Sequence, residues 1–79
     1  MKILVVDDED LDLFINKKLL SLEYDTTGFT SPEEALRWAQ HNDFDVAVID
    51  YYLENGIFAG TLLKELIALK GPAFKAFVV

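Results

Sequence analysis

The sequence predicts one α/β domain: a parallel sheet with helices on both faces, its elements in the order β-α-β-α-β-α-β. Three observations lead there. KILVV at residues 2–6 and VAVI at residues 46–49 are continuous apolar runs rich in branched residues, the pattern of strands buried on both faces. The segments between the apolar runs are of helical length and carry helical spacing or helix-start signals, as the crossovers of a parallel sheet must. At 79 residues the chain is one small domain, burying only ~60 to 65% of the surface its unfolded form exposes.

Each element has its own justification. After the first strand, apolar residues recur at Leu11, Phe14, Ile15, Leu19 and Leu22, with Asp12, Asn16, Lys17 and Ser21 on the other face, which predicts a helix over about 10–22. YDTTGF, residues 24–29, has strand-favouring Tyr, Thr and Phe, and its internal Gly28 marks it as an edge strand. In TSPEEALRWAQHN, Ser31 is the N-cap, Pro32 suits the first helical turn and Glu34 completes a capping box. That helix turns Ala35, Leu36 and Ala39 inward and ends near His41 or Asn42. The strand at 46–49 then runs into Asp50, and the glycine-bearing loop YYLENGIFAG leads to TLLKELIALKG. Here Thr61 is the expected cap, Leu62, Leu63, Leu66 and Ile67 the buried stripe, and Gly71-Pro72 the stop. AFKAFVV, residues 73–79, is the last strand. Right-handed crossovers place helices on both sides of the sheet once the strand order reverses.

Composition narrows the function. An apolar fraction of 52%, with six Phe, three Tyr and one Trp, calls for a packed core. Lys+Arg 7 against Asp+Glu 14 gives a net charge of −7, the wrong sign for a nucleic-acid or anionic-membrane surface. A cation or a basic partner fits that charge. Cysteine is absent, which removes disulfides, thiol nucleophiles and Cys-based zinc sites. The chain has no signal-peptide core and no run of ~18 apolar residues, which points to the cytoplasm.

The chemistry lies where the buried strands end. VVDDED, residues 5–10, drives two strand residues into four consecutive carboxylates, and the 46–49 strand ends in Asp50. Open parallel sheets bind ligands beyond the carboxyl ends of their strands, where the strand order reverses. With the first and third strands adjacent, Asp7 and Asp8 face Asp50 across one strand spacing of ~4.8 Å. Two carboxylates ~4 Å apart repel by roughly 4 kcal/mol at an effective dielectric near 20, so three ionised ones need a cation or a shared proton. Mg²⁺ suits such a set because it takes a few carboxylates, keeps several waters and accepts its last ligands from phosphate. Glu9 and Asp10 need no metal, since acids at a helix start serve as caps and complement the macrodipole. His41 reads as a helix-end or solvent-facing residue, and Trp38 and the Phe residues as core or interface.

The segments ILVVDDE, SPEEAL and DVAVIDYYL, in this order and spacing, resemble the receiver domain of two-component response regulators. The resemblance spans the chain. It implies a flavodoxin-like sheet of order 2-1-3-4, truncated after the fourth strand, so that residues 1–79 form a partial receiver-like domain. It further implies that Asp50 is the phosphoacceptor, that Asp7, Asp8 and Asp50 with the backbone carbonyl of Tyr52 hold Mg²⁺, and that the phosphoryl donor is a histidine kinase or phosphotransfer protein. On this reading the chain is a signalling module and not an enzyme. Three departures qualify it: Glu54 follows Leu53 where the family has proline, the loop to Gly60 is longer than usual, and the family's Ser or Thr after the fourth strand falls past Val79. The Lys after the fifth strand falls there too, and Lys75 is at the wrong end of its strand to replace it, so impaired switching is the expectation. Left as an edge, the strand bounded by Ala73 and Val79 favours a homodimer. An assembly module that self-associates through that strand without phosphorylation is the alternative. Asp8-x-Asp10 also matches a haloacid dehalogenase-type phosphohydrolase, against which stand Asp12, where that family has Thr or Val, and the lack of its later Lys and acidic-pair motifs.

Overall fold

The computed structural model describes residues 1–9, 17–18, 20–50, 59–71 and 73–78. Its central element is β1 (Lys2–Val6), flanked by β2 (Asp25–Phe29) on one side and β3 (Val46–Ile49) on the other, with β4 (Lys75–Val78) beyond β3. All three pairings are parallel. A central strand must be apolar on both faces, and Ile3, Leu4, Val5 and Val6 are all buried. The order β2-β1-β3-β4 is the one expected, and it reverses direction between β1 and β3.

Asp45 sets the alignment of three strands. Its N–H donates to the Lys2 carbonyl at 2.8 Å, its Oδ2 accepts the Lys2 N–H at 2.8 Å, and its carbonyl accepts the Lys75 N–H at 3.0 Å. Asp45 directly precedes β3, and Lys2 and Lys75 are the first residues of β1 and β4.

Helix α1 (Pro32–Ala39) starts as its sequence dictates. Ser31 adopts extended backbone and its Oγ accepts the Glu34 N–H at 3.4 Å, while Pro32 occupies the first turn without forfeiting a helical bond. Helix α2 (Ala59–Lys70) ends at Gly71, whose φ of 73° places it in the left-handed region and lets its N–H reach the Ile67 carbonyl at 2.7 Å. Ala35 and Ala39 of α1 and Ala59, Leu62 and Leu66 of α2 close over Leu4, Val6, Ala47 and Ile49. An aromatic row lies across the same face. Phe29 meets Trp38 at 6.0 Å between ring centroids, Trp38 meets Phe44 at 6.1 Å, and Phe44 meets Phe74 at 4.8 Å.

The structure corrects the sequence reading in three places. Thr61 is not a cap, because α2 is already helical at Ala59 and encloses it. Ile67 does not join the buried stripe but is 44% exposed. At ~100° per residue, Ala59, Leu62 and Leu66 share one side of the helix and Ile67 turns away from it. The last strand is shorter than residues 73–79, for Phe74 lies outside the sheet with its ring tilted at 58° against Phe44, pairing starts at Lys75, and Val79 lies outside the described residues. Most of the helix expected over 10–22 also lies outside them. Lys17, Lys18 and Leu20 are helical, and the Ser21 N–H donates to the Lys17 carbonyl at 2.8 Å. Among the described residues no helix is long and apolar enough to cross a membrane.

The burial contrast on α2 is directly measurable. Leu66→Ala should cost about 2 to 5 kcal/mol by opening a cavity under the helix, whereas Ile67→Ala should cost less than about 1 kcal/mol. Urea unfolding followed by the fluorescence of Trp38 separates the two; equal losses would contradict the observed packing.

Candidate metal centre

The parallel ladders run one residue beyond the strands. The Asp7 N–H donates to the Phe29 carbonyl at 3.1 Å, and the Asp50 N–H donates to the Val6 carbonyl at 2.9 Å. Since Val6 stands opposite Ile49, these bonds bring Asp7 level with Asp50 at the carboxyl ends of adjacent strands. The chain turns at once after Asp7, whose Oδ1 accepts the Glu9 N–H at 3.0 Å. That bond fixes the carboxylate and is a local reason for Asp at this position.

The result is a convergence of like charges. One carboxylate oxygen from each of Asp7, Asp8 and Asp50 lies within 4.8 Å of the others. Asp7 is only 6% exposed, whereas Asp8 and Asp50 keep access to solvent. Each ionised pair at that separation costs roughly 3 kcal/mol at an effective dielectric near 20. A hard cation removes the cost. Ligand oxygens ~2.0 to 2.1 Å from an octahedral Mg²⁺ are ~3 to 4 Å from one another, so small side-chain rotations within the observed spread would bring the three into place. The donor set is all carboxylate oxygen, which suits Mg²⁺ and disfavours soft metals.

The three acids singled out in the sequence are thus brought together. Tyr52, expected to add its backbone carbonyl, lies outside the described residues, as do Asp10, Asp12, Leu53 and Glu54. His41 is exposed, its N–H donating to the Trp38 carbonyl at 3.1 Å, which agrees with a solvent-facing helix end. Glu9 is likewise exposed. Among the described residues no other group of three potential metal ligands converges. One feature escaped the sequence reading: a groove of about 400 Å³ lined by Phe29, Glu34, Arg37, Trp38 and His41. Glu34, Arg37 and Trp38 lie on one side of α1 and His41 just past its end, but only the fold shows Phe29 completing the groove.

No protein-family model matches the chain, and no curated protein does. Solved structures do match. The chain superposes on a CheY-like response regulator receiver domain from Methylobacillus flagellatus with TM-score 0.89 and 25% identity, covering 99% of this chain and 67% of that one. Against a response regulator receiver domain from Clostridium thermocellum the TM-score is 0.88 with 28% identity, covering 98% of this chain and 62% of that one. Against the receiver domain of the hybrid histidine kinase CckA it is 0.82 with 26% identity, covering 99% and 84%. The chain therefore spans about two thirds of the first two and has the flavodoxin-like receiver fold.

Charge relief at the acidic cluster gives a test free of any assay of activity. Without divalent cations and at low salt, Asp8→Asn should raise stability by about 1 kcal/mol or more, by removing repulsion from two neighbours. Mg²⁺ at ten times its dissociation constant should add about 1.4 kcal/mol to the native protein and much less to the variant. Denaturation midpoints with and without the ion check both; a destabilised variant would show that the acids are not in conflict.

Proposed function

We propose, from a fold shared with CheY-like receiver domains, that this chain is a receiver-type signalling module in which Asp50 accepts a phosphoryl group. The observation that carries the reading is the convergence of Asp7, Asp8 and Asp50 within 4.8 Å at the carboxyl ends of adjacent parallel strands. Asp50 is the acceptor because it directly follows β3 with its backbone held to Val6 and its side chain partly exposed to solvent, where a donor reaches it. Asp7 and Asp8 would hold Mg²⁺ together with Asp50, and the backbone carbonyl of Tyr52 is the further ligand assigned by resemblance. The ion, when bound, neutralises charge on the acceptor and on the incoming phosphoryl oxygens.

In the transfer, a carboxylate oxygen of Asp50 attacks phosphorus in line with the leaving group, forming an acyl phosphate as the donor's P–N bond breaks. The departing imidazole of a histidine kinase or phosphotransfer protein takes up a proton. The chain needs no base for this, since Asp50 attacks as the carboxylate. Asp7 keeps its orientation through Glu9, so the acceptor meets a charged wall and not a mobile one. The cytoplasm is the compartment that suits such donors.

Phosphorylation is tested with acetyl phosphate and Mg²⁺, reading the intact mass. Addition of one phosphoryl group should occur on the native chain, vanish in Asp50→Asn, and fall at least tenfold in Asp8→Asn. Incorporation that persists in Asp50→Asn would move the acceptor elsewhere.

A second reading, self-association through β4 without phosphorylation, has its own support. Phe77 is 56% exposed and Val78 44% exposed on β4, one of the two outer strands among the described residues. Light scattering over a concentration series should then show a dimer that survives Asp50→Asn and is lost in Phe77→Lys. A monomer at every concentration refutes this second reading and leaves the first untouched.

A further inference from the structure

We propose that the open side of β2 is a docking edge for an extended segment of a partner protein, which adds to the sheet beside β2. β2 is the outermost strand on its side among the described residues, so the backbone groups on its outer edge have no strand partner there. Asp25, Thr27 and Phe29 share one face of β2, the face on which Leu4 and Val6 meet α1.

Two hollows lie along that row. The larger, about 400 Å³, joins Phe29 to Trp38 with Arg37 and His41 on its rim. The smaller, about 160 Å³, joins Asp25 and Thr27 to Lys2 and Asn42, and Trp38 lines it as well. An added strand presents side chains to one face every second residue, ~6.6 Å apart, the same step that separates Thr27 from Phe29. One such side chain reaches the aromatic hollow and the next reaches the polar one.

Charge identifies the occupant. Among the described residues Arg37 makes no ion pair or hydrogen bond, a local positive charge against the overall −7. The incoming segment therefore carries a carboxylate beside a Phe- or Leu-sized anchor, with a small polar residue two positions from the anchor. Glu34 on the same rim disfavours a second acid. A second copy of this chain fits poorly, because its exposed strand β4 is KAFV, offering Lys75 and no acid beside Phe77. The inference rests on neither the acidic cluster nor phosphorylation.

The probes are short capped peptides with Phe as anchor, Asp beside it and Ser two positions away in a Thr-rich extended backbone. They would be titrated against the full chain, with Trp38 fluorescence and backbone amide shifts as readouts. Saturable binding with shifts along β2 is expected. Arg37→Glu, an exposed substitution that leaves the fold intact, should weaken binding about fivefold, and replacing the peptide's Asp by Lys should restore it. Methylating alternate peptide nitrogens that face β2 should abolish binding, while Asp50→Asn should leave it unchanged. Absence of saturable binding at millimolar peptide, indifference to backbone methylation, or indifference to Arg37→Glu would each overturn the proposal.

Discussion

Everything at the acidic end of the sheet depends on an alignment fixed at the other end. Asp45 binds Lys2 twice and Lys75 once, through its main chain and its carboxylate. With those bonds made, parallel pairing carries Val6 opposite Ile49, and the next residues, Asp7 and Asp50, arrive side by side. A slip of one residue would displace one acid by ~3.3 Å and turn a strand's side chains to the wrong face. The burial of Val5, Val6 and Ile49 resists such a slip. A backbone constraint thus acts as the positioning device for chemistry five residues away.

That alignment works against the stability of the domain that enforces it. A fully buried Leu or Ile contributes about 1.5 to 3 kcal/mol, and a domain's whole margin is typically about 5 to 15 kcal/mol. Repulsion among Asp7, Asp8 and Asp50 is of the same order as one or two core side chains. Leu4, Ile49, Leu62 and Leu66, all essentially inaccessible, supply the opposing term. The Lys70–Asp43 pair at 3.3 Å offers little in return, because the Asp43 side chain is 97% exposed.

The parts of the fold that were legible in the sequence are those fixed by local pattern. β1 and β3 announced themselves because a central parallel strand tolerates no polar face, and α1 because Ser31, Pro32 and Glu34 form a start signal that needs no tertiary partner. The acidic site was legible for a related reason, since an Asp directly after a buried apolar run has to emerge at the sheet's carboxyl edge. What escaped depends on packing between distant segments. Thr61 has cap chemistry but α2 begins before it, and the apolar character of Ile67 says nothing of a helix rotation set by Leu62 and Leu66. Phe74 reads as strand yet lies outside the sheet, its ring against that of Phe44. The hollows beside β2 join residues from α1, β2 and the amino end of β1, which no single stretch of sequence contains.

The two ends of the strands are unequal in kind. At the amino ends, bonds from Asp45 tie three strands together; at the carboxyl ends, the ladders run on through Asp7 and Asp50 while three carboxylates converge. Local opening of such a sheet would have a direction, because repulsion among Asp7, Asp8 and Asp50 would favour fraying at their end. A cation seated there would act less as an added contact than as a clasp on the loose end. Its effect would be on cooperativity, turning a sheet that frays by degrees from one side into one that opens all at once or not at all.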